Sequence, residues 1–280
     1  MHRRWIVAIA LLAAVTGSAS ALALKDDIKI TLEEKRVENL SPEGLDLVFY
    51  INLENVSSRD YALSGYTYRF VIQEQEYFRL PETNLDRMLP LTGGSREMIR
   101  FPVRITYELL HQSIAGIRDA TSVSCYIMGE MMFARGRRRG GALPFAFSAE
   151  FPLFRAPTVA VHAVKAKALT IGGADLEVEL RVSNPNGFSL DVDELEYDLK
   201  IGGHPLKQGR LSSTVPVTAS SEQALSIPLL FSFYEVGNDV HGLLQQETVS
   251  CQVSGTLVVR TEWGRLSLPY RLDQRVPVER

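Results

Sequence analysis

Apolar and polar residues alternate with a period of two through much of the chain. Leu176, Val178, Leu180 and Val182 are separated by Glu177, Glu179 and Arg181, with Asp175 leading the run. Successive side chains of a β-strand point to opposite faces, so this pattern predicts a half-buried strand. Leu47, Phe49, Ile51 and Leu53 predict a second strand of the same kind. Past an Asn-containing turn, Leu190 and Val192 keep the period, and the apolar set then jumps by three to Leu195, Tyr197, Leu199 and Ile201. The same jump separates Tyr61 and Leu63 from Tyr66, Tyr68, Phe70 and Ile72. A three-residue step in a two-residue period predicts a β-bulge or a break between two strands. Helical spacing appears at Tyr107, Leu110, Ile114 and Ile117, and again at Val236, Val240 and Leu243, which predicts one short helix in each half.

The two halves share more than a pattern. "TSVSCYIMGEMMF" at 121 to 133 returns as "ETVSCQVSGTLVV" 126 residues later. The same shift lays Pro90, Thr92 and Pro102 on Pro216, Thr218 and Pro228, and a shift of 129 lays Asn55 on Asn184 and Tyr68 on Tyr197. One supersecondary plan is written twice, and a period near 125 residues implies two successive domains where a solenoid would repeat every 20 to 50 or so. The only two cysteines sit on apolar strand faces, with Val123, Ile127, Gly129, Met131 and Phe133 around Cys125, and Val249, Val253, Gly255, Leu257 and Val259 around Cys251. Each thiol is therefore expected to be buried and free, in the core of its own domain, out of reach of a disulfide.

The N-terminus adds a destination. "MHRRWIVAIALLAAVTGSASALALKDD" has a basic start, an apolar run from Trp5 to Val15 and small residues after it. That is the layout of a secretory signal, with Ala19-Ser20-Ala21 as the cleavage pattern, and eleven apolar residues fall short of the roughly 20 of a membrane span. The expected division is a signal peptide at 1–21, a first domain at 22–155 and a second at 156–280, with an exported, periplasmic or envelope-associated mature chain beginning near Leu22. An uncleaved signal would leave an N-terminal anchor. A 45% hydrophobic content and a net charge of −3 mark a globular chain and give no support for a nucleic-acid partner.

The stretch "VELRVSNPNGFSLDVDELEYDLKIGGHPLKQGRL" (178 to 211) followed by "VPVTASSEQALSIPLLF" resembles the WHy domain (water stress and hypersensitive response) of the folded, atypical late-embryogenesis-abundant proteins. Asn184-Pro185-Asn186, the Leu-x-Val after it, Tyr197 and Gly202-Gly203 carry the resemblance. The first half departs from it, with Asn55-Val56-Ser57 at the motif and Gln73-Glu74-Gln75 near the glycine turn. The resemblance implies an all-β chain of two tandem fibronectin-III/Ig-like antiparallel β-sandwich domains with one short helix each. It further implies a non-enzymatic role in desiccation or other water stress.

The residues themselves give Asn184, Pro185, Asn186 and Gly187 a structural reading. Proline holds the residue before it extended, and Asn-Gly tolerates positive φ, so the chain reverses here. Loss of the Asn184 side chain is expected to cost about 1 kcal/mol, as for one hydrogen bond. Catalytic motifs are absent from the sequence: there is no His-Glu-x-x-His, no Gly-x-Ser-x-Gly and no phosphate-cradling loop, and the five histidines are scattered. Neither a cofactor, a metal nor a small-molecule substrate is expected. The sharpest charge is "ARGRRRGG" (134 to 141), read as a hairpin tip. Arg135, Arg137, Arg138 and Arg139 there would either meet a membrane surface or another polyanion, or stay solvated and guard a strand edge. Partners among membrane surfaces or envelope proteins are expected. The alternative function is a structural, adhesion or assembly module of the envelope.

Overall fold

A computed structural model describes residues 24–279 apart from 115, 137, 237 and 238. The expected signal peptide and the cleavage point before Leu22 lie outside the described residues. The protein is all-β, with a few short helices.

In the first half, β1 (Ile28–Ser41), β2 (Gly44–Asn55) and β5 (Arg96–Thr106) form a three-stranded sheet in the order β1-β2-β5. Strands β3 (Tyr61–Ile72), β4 (Gln75–Leu91), β6 (Ser122–Arg135) and β7 (Arg138–Pro152) form a four-stranded sheet in the order β4-β3-β6-β7. Their apolar faces meet, with the Phe49 ring on β2 lying edge-on to Phe70 on β3 at 6.3 Å. In the second half, β8 (Thr158–Leu169), β9 (Gly173–Asn184) and β13 (Ser221–Ser232) repeat the first order. Strands β10 (Leu190–Ile201), β11 (His204–Leu211), β14 (Thr248–Thr261) and β15 (Gly264–Glu279) repeat the second, and the short β12 (Val215–Val217) pairs with β10. A difference appears at the seam, where the end of β15 pairs in parallel with β8 at Val278↔Val164 and joins the two sheets.

The alternating positions do what the period requires. Leu47, Phe49, Ile51 and Leu53, like Leu176, Val178, Leu180 and Val182, are buried. The three-residue jump is a bulge inside one continuous strand, between Leu63 and Gly65 in β3 and between Val192 and Glu194 in β10. The glycine shared by both cysteine strands has a steric cause. A Cβ on Gly129 would lie 1.9 Å from the Thr67 carbonyl oxygen, and one on Gly255 would lie 2.0 Å from that of Glu196.

Both helical stretches are short, and the first ends before its 3₁₀ turn. The first is a helix at Tyr107–Ser113 followed by a 3₁₀ turn at Ile117–Asp119. The second is helical at Phe233–Val236 and at Asp239–Leu244, on either side of residues 237 and 238. Phe233, Val240 and Leu244, at spacings of seven and four, are buried on one helical face, while Val236 and Leu243 are half-buried and pack against the core.

The strand directions give each half two poles. Ile28, Asn55 and the β6–β7 tip share the first pole of the first half, and Ser41, Gly44, Thr106 and Ser122 share its far pole. The second half follows head to tail, with its Asn184 turn facing that far pole.

Candidate functional site

The Asn turns hold more of the structure than a chain reversal needs. Asn184 closes β9 and is 1% exposed. Its Nδ2 group donates to the carbonyls of Phe188 at 2.8 Å, Thr218 at 3.0 Å and Val217 at 3.2 Å. Its Oδ1 accepts from the backbone N–H of Asn186 at 3.0 Å and from Asn186 Nδ2 at 2.9 Å. Asn55 in the first half is buried in the same way. Its Nδ2 donates to the carbonyls of Arg59 at 2.6 Å and Leu91 at 2.9 Å, and its Oδ1 accepts from Ser57 N–H at 3.0 Å and Ser57 Oγ at 2.9 Å. One buried amide thus ties the turn to the segment leading into the third strand of the same sheet. Buried polar groups of this kind must be matched, and here the side chain supplies what the backbone cannot.

Asn186 has a second task that its sequence position does not reveal. Its Oδ1 accepts from the Arg155 backbone N–H at 2.7 Å, and its Nδ2 donates to the Arg155 carbonyl at 2.8 Å. The amide therefore reads both backbone groups of a residue in the connection between β7 and β8. The first half grips the same connection from the other side. The Tyr107 hydroxyl donates to the Pro152 carbonyl at 3.4 Å and accepts from Phe154 N–H at 3.2 Å. Leu153 N–H donates to the Thr121 carbonyl, and the Arg155 guanidinium donates to the Ala120 carbonyl, both at 3.1 Å.

Gly187 departs from the expectation of positive φ, since neither it nor Asn186 adopts that conformation. Its requirement is proximity: a Cβ there would lie 2.6 Å from the Thr121 side chain. Arg155 and Thr121 were invisible to sequence reasoning, because each acts on a partner more than 30 residues away.

The left-handed backbone belongs to the next hairpin. Gly202 and Gly203, with φ of 58° and 86°, make the two-residue turn between Ile201 and His204. In the first half Gln73 and Glu74 occupy the same turn at φ of 46° and 67°.

The arginine stretch is a hairpin tip, with Arg135 paired to Arg138 across it and both side chains exposed. Arg137 lies outside the described residues, and Arg139 is placed only as a strand residue paired with Ala134. Beside the tip, the Tyr61 hydroxyl donates to Asp27 Oδ2 at 2.5 Å and Arg59 donates to it at 2.7 Å. The Tyr61 hydrogen bond, more than the Arg59 charge, holds the Asp27 carboxyl below its ordinary range against the opposing effect of desolvation. Cys125 and Cys251 are both buried and free, and desolvation pushes each thiol up to about 12. Among the described residues no group of three or more His, Cys, Asp or Glu side chains is placed to hold a metal. No helix among them is long and apolar enough to cross a membrane.

Residues 179–274 match the family model described as "Late embryogenesis abundant protein". The match spans the Asn184 turn and the Cys251 strand, and the resemblance of the second half is thereby shown at the level of the family. No curated protein matches the chain. Among solved structures, a protein from Archaeoglobus fulgidus is 14% identical with a TM-score of 0.33, over 46% of this chain and 97% of that one. The YadV chaperone is 9% identical with a TM-score of 0.23, over 89% of this chain and 100% of that one. An adhesin from Mobiluncus mulieris is 8% identical with a TM-score of 0.28, over 90% and 99%. Scores this low carry no argument about this chain.

Proposed function

We propose that the protein is an exported, non-enzymatic stress-protection protein of the cell envelope, which acts under water loss by contact with membrane or protein surfaces. The observation that carries this reading is the family match over residues 179–274. The motif within it supports the non-enzymatic part, since the Asn184 and Asn186 amides are engaged by backbone and by each other. The first half is, in this proposal, a diverged copy of the second. Its support is the Asn55 network, in which Arg59 and Leu91 stand where Phe188 and Val217 stand around Asn184. Export rests on the leader pattern at 1–21, with a mature chain from Leu22. Leu24, only three residues past Ala21, is already buried in the fold.

The test is survival of a deletion strain after drying, against a strain complemented with the full chain. Protection requires the complemented strain to survive better, with the protein confirmed in the envelope fraction. Equal survival sinks the reading. The second reading, a structural or adhesion module of the envelope, is favoured by the doubly gripped connection at Arg155, which suits a rigid tandem better than two loosely linked domains. Recovery of one stable envelope partner, unchanged by drying, would favour it.

A further inference from the structure

The first pole of each half is built alike and finished differently. In the second half that pole is covered by the connection and by Thr121, and the β14–β15 tip turns Trp263 edge-on to Phe188 at 4.7 Å. In the first half the pole leaves Val56, Arg59 and the β6–β7 tip exposed. Its charges are unequally matched. Arg59 and Arg96 there are ion-paired, whereas Arg135 and Arg138 belong to none of the ion pairs found among the described residues, and Arg135 acts on Asp27 only at longer range. Asp27, the buried acid beside them, is already engaged by Tyr61 and Arg59. Lys25 adds a further exposed cation.

The same pole receives the chain. Leu24 is buried at the base of the arginine hairpin, where a Cβ on Gly141 would lie 3.3 Å from its side chain. The apolar run ends at Val15, nine residues before Leu24. Nine residues span at most about 30 Å. Until the leader is cleaved, a bilayer that holds Trp5–Val15 therefore lies within that distance of Leu24, at the base of the arginine hairpin.

We propose that this pole faces a bilayer and binds anionic phospholipid headgroups through Arg135 and Arg138, assisted by Lys25, so that the protein stands end-on to the membrane. The proposal rests on the surface-contact reading above and names its partner. Exposed guanidinium groups outside any close ion pair are suited to phosphate, and each adds to attraction near an anionic surface. The opposite end carries different chemistry: Ile171, in the β8–β9 turn, is 96% exposed, twelve-residue strands away from the Asn184 turn.

Mature protein, beginning at Leu22 and recovered from the envelope fraction, is sedimented with phosphatidylcholine vesicles, alone or mixed with phosphatidylglycerol. Binding is expected only to the anionic vesicles, and to weaken with salt, since screening acts within about 10 Å at 0.1 M. Arg135→Ser with Arg138→Ser should weaken it roughly thirty-fold, the worth of two basic side chains at such a surface, and the paired Lys variants should retain most of it. Orientation is read with an environment-sensitive dye on Val56→Cys or Ile171→Cys; Cys125 and Cys251 are buried and leave the label selective. A spectral shift at position 56 and none at 171 is expected. Equal binding to neutral vesicles, an unchanged double Ser variant, or a shift at 171 overturns the proposal. So does binding to soluble polyphosphate without binding to vesicles. Failure of wild-type protein to bind anionic vesicles also overturns it, while the drying assay, which protein contacts alone can satisfy, judges the broader function separately.

Discussion

The turn at Asn184 and the turn at Asn55 share a buried amide and differ in what stands two residues later. Both amides cross-tie their own half. Asn186 adds a reach outward to Arg155, whereas Ser57 keeps its hydroxyl on Asn55. The Asn-Pro-Asn motif therefore separates into two functions. The first asparagine serves the fold and is present in both halves. The second serves attachment to whatever precedes the domain, and it is replaced where no domain precedes among the described residues.

The largest test of that division is loss of the first asparagine. Asn184→Ala leaves the carbonyls of Val217, Phe188 and Thr218 without their donor, so it should cost the second half about 3 kcal/mol, more than the single-bond figure the sequence suggests. Asn55→Ala should destabilise the first half comparably. Hydrogen exchange resolved by peptide distinguishes the halves, and a cost confined to about 1 kcal/mol would return Asn184 to a simple turn residue.

Asn186→Ser converts one turn into the other. It should cost about 1 kcal/mol and loosen the connection at Arg155, because the hydroxyl is too short to engage both of that residue's backbone groups. Small-angle scattering should show a broader distribution of distances between the halves. An unchanged profile would mean that Tyr107 and Thr121 suffice.

The hairpin turns give a smaller effect of opposite sign. Gln73 and Glu74 hold left-handed backbone that costs L-residues roughly 1–2 kcal/mol and glycine little. Glu74→Gly should therefore stabilise the first half by about 1 kcal/mol, once the greater chain entropy of glycine is deducted. Gly202→Ala should destabilise the second half, since φ there is 58°, which strains an L side chain, and the new Cβ would also displace the Leu243 side chain.

The smallest difference is expected at the thiols. Folding raises each from about 9 to about 12. Each folded thiol therefore keeps its proton between those values, so the thiols leave stability unchanged below about pH 9 and lower it as pH rises toward 12. Urea midpoints should follow that course in both halves alike, and both native thiols should resist a polar alkylating reagent. Rapid labelling of one alone would break the symmetry.

Much of this was legible along the chain. The period of two placed Leu47 to Leu53 and Leu176 to Val182 inside, and the jump after Leu63 and Val192 marked real bulges, because burial on one sheet face constrains every second residue. The helical spacing in the second half was legible too, with Val240 buried and Val236 and Leu243 packed against the core, although the more deeply buried Phe233 and Leu244 were not singled out. Gly187 was assigned to the wrong cause: a glycine in a turn suggests positive φ, and the threonine that crowds it comes from the other half. What stayed hidden was contact between distant segments, above all Asn186 with Arg155.

The clasp at Arg155 has a mechanical consequence. The described chain enters at one tip of the tandem, near Leu24, and its last strand ends in the second half, where Val278 pairs with Val164 on β8. Any pull between these two points passes through a single covalent connection, residues 153–157, before it reaches the second half. The Asn186 and Tyr107 hydrogen bonds lie across that strand and would yield before the long ladders on either side, which share load over many bonds. The connection is then a spring set between two stiff bodies, giving first and re-forming when the tension is released.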